Sequence, residues 1–261
     1  MPHIDLINMP APIVIGVIAM LLLAGMTKGL IGIGMPIVAV PLLNLLVDLP
    51  VTVAILSIPL IISNVPQALE GDPVGAVLRR LTPIFFGLVV GIAIGVCLLT
   101  SIPSEVLKPI VGAILIVIVL LMFFSPHFVI PPKYENYLGP VAGLIGGILG
   151  GLAALPGPFV FIYILALGLS KDRFVQYSSM FLVVAASLLT VTLGGVGALG
   201  WLDALVSTCA VLPILLGMRL GAQLRAFVSP PLFRRLILLV VMVSGVHLVS
   251  GSIASIASSL H

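Results

Sequence analysis

The sequence predicts an all-α polytopic membrane protein made of two inverted repeats of five helical segments. Of its 261 residues, 61% are hydrophobic and only 7% are charged, whereas a soluble domain carries about 25% charged residues. Uncharged stretches recur along the chain, and each is long enough for a membrane span of about 20 apolar residues. The two halves also match when Gly151 is laid over Gly29, because Pro158 then falls on Pro36 and Ser179 on Ser57.

Each half divides into five segments. The segments are expected at 11–31, 36–47, 50–69, 81–100 and 105–124, and again at 138–152, 158–169, 173–194, 203–222 and 231–250. The first membrane repeat is expected to cover 1–125 and the second 137–261, with a cytoplasmic linker over 126–136.

The second segment of each half is too short to cross a membrane. Segments 36–47 and 158–169 have 12 residues each, or about 18 Å of helix against a hydrocarbon core of roughly 30 Å. We therefore expect each repeat to begin with a broken-helix hairpin whose tip reaches the membrane midplane.

The basic residues give the expected orientation. If the ten segments alternate in direction from an outside N-terminus, nine of the eleven basic residues fall on one side, Lys108 falls on the other, and Lys28 lies within the membrane. The nine are Arg79, Arg80, Lys133, Lys171, Arg173, Arg219, Arg225, Arg234 and Arg235. The positive-inside rule makes that side the cytoplasm, and we expect the protein in the inner (plasma) membrane of a bacterial cell, as the family resemblance described below implies. An odd number of segments per repeat inverts the second copy.

The first hairpin contains GMTKGLIGIGMP, residues 25–36, in which a lysine precedes a run of helix breakers. Non-helical backbone inside a bilayer is tolerated only where protein or a water-filled cavity satisfies it. Each half-helix is expected to begin at a proline, so the N–H groups that follow lack a partner within the helix. Two such helix starts, with dipoles worth about +0.5 charge each, would form an anion site. The residues predicted to line it are Lys28, Gly34, Met35, Pro36, Gly157 and Pro158.

Two alternatives remain open at the hairpins. Lys28 either faces the anion or extends along the helix to the cytoplasmic surface, as snorkelling lysines do. Glycines 29, 32, 34, 150 and 151 either contact the ligand or let helices pack closely.

Polar residues on the later segments are further candidates for substrate binding. Ser57, Asn64 and Gln67 share one face of segment 50–69, and Ser179 mirrors Ser57 in the second half. Polar side chains in a span usually face the bundle interior, where they bind substrate or form hydrogen bonds between helices. The Tyr163 hydroxyl is either another substrate contact or part of an ordinary core aromatic.

Two stretches resemble the motifs of a known family. KGLIGIGMPIVAVPLL (28–43) resembles the first motif of the TauE/SafE sulfite exporter family, also called the toluene sulfonate uptake permease family, and GGLAALPGPFVFIYILALGLSKDRF (150–174) resembles its second. Met35 and the pair Ala153-Ala154 depart from the usual motif. The resemblance covers nearly the whole chain. It implies an inner-membrane carrier that moves sulfite, sulfoacetate, thiosulfate or other sulfonates, usually out of the cell, by alternating access.

Other functions are disfavoured. The strings of intramembrane proteases, Gly-x-Ser-Gly and Gly-x-Gly-Asp, do not occur, so no enzyme is expected. Neither a metal, a cofactor nor nucleic acid is expected as a ligand. The expected partners are a small anion of the sulfite or sulfonate class and the lipid bilayer. The alternatives are an anion channel, or a carrier for another small carboxylate or organic anion. Proton coupling stays open, although no carboxylate lies in mid-span.

Overall fold

The computed structural model describes residues 10–32, 34–124 and 130–224, together with residues 239, 241–243, 246 and 250. The helices in the continuous ranges are α1 (Ala11–Ile31), α2 (Met35–Leu43), α3 (Leu49–Leu69), α4 (Val74–Ser101), α5 (Ser104–Phe124), α6 (Pro132–Ala153), α7 (Gly157–Ala166), α8 (Lys171–Gly195) and α9 (Trp201–Leu224). Within the described residues, α1, α3, α4, α6, α8 and α9 are long and apolar enough to cross a membrane. The predicted all-helical membrane architecture is therefore confirmed. Most of the tenth predicted segment, 231–250, lies outside the described residues.

The two short helices follow breaks in the chain. α2 has 9 residues and α7 has 10, so both are shorter than predicted. Each begins one residue before its predicted proline, which leaves Pro36 and Pro158 at the second helical position. α6 begins within the predicted linker 126–136.

The two breaks are built differently. Between α1 and α2, Gly32 (φ 93°) and Gly34 (φ 101°) adopt the left-handed conformation, which costs glycine little. After α6 the same conformation falls on Ala154, at φ 54°. The N–H groups of Ala154 and Leu155 bond to the carbonyls of Gly150 and Leu149 at 2.9 and 3.2 Å, and the Ala154 bond is that of an αL-type helix ending.

Two pairs of helices pack backbone to backbone through glycines. A Cβ on Gly25 or Gly29 of α1 would collide with the main chain of α9, and one on Gly91 or Gly95 of α4 would collide with the main chain of α6. Such small residues let membrane helices approach closely. In both pairs, a higher residue number on one helix meets a higher residue number on the other. Helix α1 therefore runs parallel to α9, and α4 runs parallel to α6.

The centre of the bundle is the contact between α3 and α8. Ser179 Oγ donates to Gln67 Oε1 at 3.2 Å, and Gln176 Nε2 donates to the Asp72 carbonyl at 2.7 Å. Gln67 meets Ser179, whereas the later Asp72 meets the earlier Gln176. The two helices are therefore antiparallel. The short helix α2 packs against α1 and α3, whereas α7 packs against α6 and α8.

Candidate functional site

Lys28 lies inside the helix bundle, one turn before the end of α1. The residue is only 2% exposed. Its Nζ donates to Ser63 Oγ at 3.2 Å and to Asn64 Oδ1, both on α3. A snorkelling lysine carries its ammonium to the membrane surface, so the snorkelling interpretation is wrong for this structure.

One of the two partners of Lys28, Asn64, is held in place by α3 itself. Asn64 Nδ2 donates to the Leu60 carbonyl at 2.7 Å. The amide oxygen therefore faces Lys28, as it must, because a lysine ammonium only donates hydrogen bonds. Ser63 was not among the predicted residues. It lies four positions before Gln67 on the same face of the helix, so helical spacing could have identified it.

Gln67 joins the break after α1 to the second half of the chain. Its Nε2 donates to the Gly32 carbonyl at 3.2 Å, while its Oε1 accepts from Ser179. The Gly32 N–H in turn donates to the Lys28 carbonyl at 2.7 Å, so the main chain of the break connects the two sets of polar side chains. We call Lys28, Ser63, Asn64, Gln67 and Ser179 the Lys28 cluster.

Open space adjoins the break. At Gly32 and Gly34, no atom other than those of the chain neighbours lies within 4 Å of the point where a Cβ would stand. Gly32 is nevertheless buried. The packing alternative therefore holds for Gly29, which lies against Met218, but Gly32 and Gly34 border a space large enough for a side-chain atom.

The start of α2 lies beside the Lys28 cluster. Met35, the first residue of α2, is 1% exposed, and its Sδ lies 4.0 Å from Ser63 Oγ. The expectation that all N–H groups after Pro36 lack partners is wrong for Ile37, whose N–H donates to the Gly34 carbonyl at 3.2 Å. The first turn of α2 is therefore tightened by this bond, and it retains fewer free backbone N–H donors than predicted.

Ser57 belongs to a different network. Pro59 has no N–H, so the Ile55 carbonyl four residues earlier has no partner within the helix. Ser207 of α9 donates its hydroxyl to that carbonyl at 3.0 Å and accepts from the Ile58 N–H at 3.1 Å. Ser57 Oγ lies 3.3 Å from Ser207 Oγ. Hydrogen bonding between helices therefore accounts for Ser57, and Ser207 is a second residue that the sequence did not reveal.

Tyr163 and the start of α7 have neighbours of their own. The Tyr163 hydroxyl donates to the Glu135 carbonyl at 3.0 Å, at the beginning of α6. A Cβ on Gly157 would lie 2.6 Å from the ring of Phe161, which covers the first turn of α7 beside Pro158. Among the described contacts, none joins Tyr163, Gly157 or Pro158 to the Lys28 cluster.

The positive charge of Lys28 has only neutral partners in the described ranges. The ion pairs in these ranges lie elsewhere: Asp48 with Lys108 at 2.7 Å, Glu135 with Arg80 at 2.9 Å, and Asp72 with Arg173 at 3.1 Å. The described residues also contain no group of His, Cys, Asp or Glu that could hold a metal ion. A buried charge is costly unless a counter-charge compensates it. The Lys28 cluster is therefore suited to hold an anion.

An apolar cavity of about 390 Å³ lies apart from this cluster, between the first halves of α1 and α9. Its walls include Val17, Leu21, Ile55, Ala210 and Pro213. These side chains offer no hydrogen-bond donors to a small anion, so this cavity is not a candidate for the same role.

Comparison with known families identifies a match over most of the chain. The family model described as "Sulfite exporter TauE/SafE" matches residues 17–248. This range includes both motif stretches and every member of the Lys28 cluster. No significant match was found among curated proteins or among solved structures.

Proposed function

The chain belongs to the sulfite exporter TauE/SafE family, and from this premise we propose that it carries small sulfur-containing anions, such as sulfite or sulfoacetate, out of the cell by alternating access. It is a multi-pass membrane protein of a transporter family. The proposed location is the bacterial inner membrane.

The observation that carries the proposal is the buried Lys28 amino group, whose described partners are neutral. An anion that enters the open space beside Gly32 and Gly34 supplies the missing negative charge. The start of α2 adds a partial positive charge of about +0.5 on the same side. In this proposal Lys28, Gly34, Met35, Pro36 and Asn64 contact the anion.

The remaining predicted residues take different parts in the proposal. Gln67 and Ser179 hold the break in position, as their hydrogen bonds suggest. Gly157 and Pro158 approach the anion from the second half in the course of the cycle. Ser57 and Tyr163 support the helix packing, in keeping with their partners Ser207 and Glu135.

The arrangement of helix pairs supports the inverted repeat. Laying the second half over the first places α6 on α1, α8 on α3 and α9 on α4. The α1–α9 pair then corresponds to the α4–α6 pair, and both pairs are parallel and packed through glycines. The same overlay exchanges α3 with α8, so this central pair is mapped onto itself. Its two helices are antiparallel, as a two-fold axis in the membrane plane requires.

The ion pairs support ten alternating segments with half-helix hairpins. The Asp72–Arg173 pair requires both residues on one side of the membrane. Ten segments place them together on the cytoplasmic side, whereas eight full spans would put them on opposite sides. The Asp48–Lys108 pair lies on the outer side in the proposed orientation.

A flux assay tests the proposed function. The purified protein is reconstituted into liposomes, and uptake of radiolabelled sulfite and sulfoacetate is compared with that of acetate. We expect saturable flux and counterflow with the sulfur anions. Lys28→Met should reduce the flux at least about 100-fold, because roughly 3 kcal/mol of charge interaction is lost. Lys108→Met, in a partly exposed ion pair near the start of α5, is the matched control and should leave the flux nearly unchanged.

Three results would contradict this proposal. Flux that neither saturates nor shows counterflow indicates an anion channel. A preference for acetate over both sulfur anions indicates a carrier of carboxylates. Normal flux in Lys28→Met removes the Lys28 cluster as the binding site.

A further inference from the structure

We propose that Lys28 is also the proton-carrying group of the transport cycle. In this proposal a free amine binds one proton as the anion enters, and the resulting ammonium–anion pair releases both when the anion leaves. One proton therefore moves with each anion. This inference rests on the anion transport proposed above and names the group that couples it to protons.

The surroundings of Lys28 make its charge depend on the anion. In α1 it is the only ionisable residue, and neither α2 nor α3 contains any within its helical range. On α9, Asp203 lies near the start of the helix, Cys209 lines the apolar cavity and Arg219 is exposed. At the contact itself, α9 presents the main chain of Met218 to Gly29. Among the described residues of these helices none supplies a compensating charge to Lys28, and in this proposal the bound anion supplies it.

Both partners of Lys28 can serve an ammonium and a free amine. The Ser63 hydroxyl accepts a hydrogen bond from an ammonium and can rotate to donate to the lone pair of an amine. Its present donor contact, to Met35 Sδ at 4.0 Å, is long and easily exchanged. Asn64 Oδ1 accepts an N–H from either form while the Leu60 carbonyl holds its amide group. The site can thus lose the proton without leaving a buried polar atom unpaired, which would cost free energy.

Carboxylates offer no comparable route for the proton. In the described ranges, Asp48, Asp72 and Glu135 are bound in ion pairs outside the helix centres. Glu70, Glu105 and Asp172 are exposed. Asp203 is buried as well, and its carboxylate accepts a hydrogen bond from the Gly200 N–H at 2.8 Å at the start of α9. Lys28 differs from these carboxylates because it adjoins an open space and belongs to the site proposed for the anion.

The test measures protons and anions together. Wild-type protein is reconstituted into liposomes that contain a pH-sensitive dye, with the membrane potential clamped by potassium and valinomycin. Thiosulfate and methanesulfonate are used as probes, because neither changes its charge near neutral pH. We expect about one proton per anion with both probes.

Substitution at position 28 separates coupling from binding. Lys28→Arg keeps a positive charge, but a guanidinium does not give up its proton in a protein. We expect this variant to bind the anion, measured by thermal shift with thiosulfate, and to move at least tenfold fewer protons per anion than wild type. The control Lys108→Arg should keep the wild-type ratio, since Lys108 pairs with Asp48 at a helix end.

The outcomes distinguish this proposal from the one on which it rests. Anion flux without protons in the wild type overturns the role of Lys28 as proton carrier and leaves the transport function intact. An unchanged proton ratio in a Lys28→Arg variant that still carries anions overturns it as well. Absence of flux with both probes, and with sulfite, overturns the proposed function and this inference together.

Discussion

The Lys28 ammonium donates a hydrogen bond to Asn64 Oδ1, which belongs to a residue 36 positions further along the chain. This contact joins the end of α1 to α3 at the break before α2. It pairs a full charge with the dipole of an amide, whose orientation is set by the Leu60 carbonyl. A full counter-charge is still lacking among the described residues, and the first prediction follows from that.

A carboxylate at position 64 should act as a built-in anion. We expect Asn64→Asp to raise the melting temperature in detergent by several degrees and to weaken thiosulfate binding at least tenfold, or about 1.4 kcal/mol. The reason is that the new carboxylate neutralises Lys28 and occupies its donors. Asn64→Leu, which has similar size and no charge, is the control and should lower the melting temperature. Unchanged thiosulfate affinity in the Asp variant would mean that the anion binds away from Lys28.

The glycines between α4 and α6 should not tolerate a side chain. A Cβ on Gly95 would lie 2.8 Å from the Leu152 nitrogen and 2.9 Å from Gly151 Cα, and main-chain atoms cannot swing aside. We expect Gly95→Ala to cost roughly 1–3 kcal/mol, seen as a lower melting temperature and yield. Gly194→Ala is the control, because no atom lies within 4 Å of its Cβ position. The control should be neutral or gain up to about 1 kcal/mol. Equal effects of the two changes would contradict the close α4–α6 contact.

The end of α6 should become more stable when its left-handed residue is glycine. Ala154 has φ 54°, and an L-residue in that conformation costs roughly 1–2 kcal/mol. Ala154→Gly should therefore raise the melting temperature. Ala153→Gly, one position earlier and still helical, should lower it by a comparable shift, since glycine weakens a helix interior. A decrease in both variants would show that the left-handed conformation at Ala154 does not govern stability here.

Ser207 should matter to stability only while Pro59 is present. Ser207→Ala leaves the Ile55 carbonyl without its partner and should cost roughly 1–3 kcal/mol. In a Pro59→Ala background the N–H at position 59 can bond to that carbonyl, so the same change should cost much less. The comparison is a double-mutant cycle on melting temperature. Additive effects would mean that Ser207 does not replace the hydrogen bond that Pro59 removes.

The orientation proposed from the charges can be tested in cells. Reporter fusions at residues 75 and 130 should both report the cytoplasm, and a fusion at residue 102 should report the outer side. Arg80 and Glu135 follow the first two positions and form an ion pair that holds α4 and α6 together at one end. Outer-side signals at both residues 75 and 130 would reverse the proposed orientation.

The sequence by itself determined the limits of α1 and nearly those of α3, whereas α4 and α6 begin seven and six residues before their predicted segments. The prediction of 11–31 for the first segment agrees with α1 as found, and 50–69 differs from α3 by one residue. These boundaries are set locally. Inside a bilayer each segment must satisfy its own backbone hydrogen bonds, so a cluster of glycines and a proline such as 29–36 marks a helix limit, whereas a single proline such as Pro59 lies inside α3. The break at Gly32 and Gly34 was predictable for the same reason.

Only the tertiary structure decided which polar side chains meet. Ser57 and Ser63 both lie on α3, but Ser63 binds Lys28 of α1 whereas Ser57 lies against Ser207 of α9. Helical periodicity gives the direction of a side chain around its own axis and does not say which helix lies opposite. That depends on close contacts between distant segments, such as the approach of Gly25 to α9. Lys28 points inward instead of snorkelling because those contacts place Ser63 and Asn64 within reach of its ammonium.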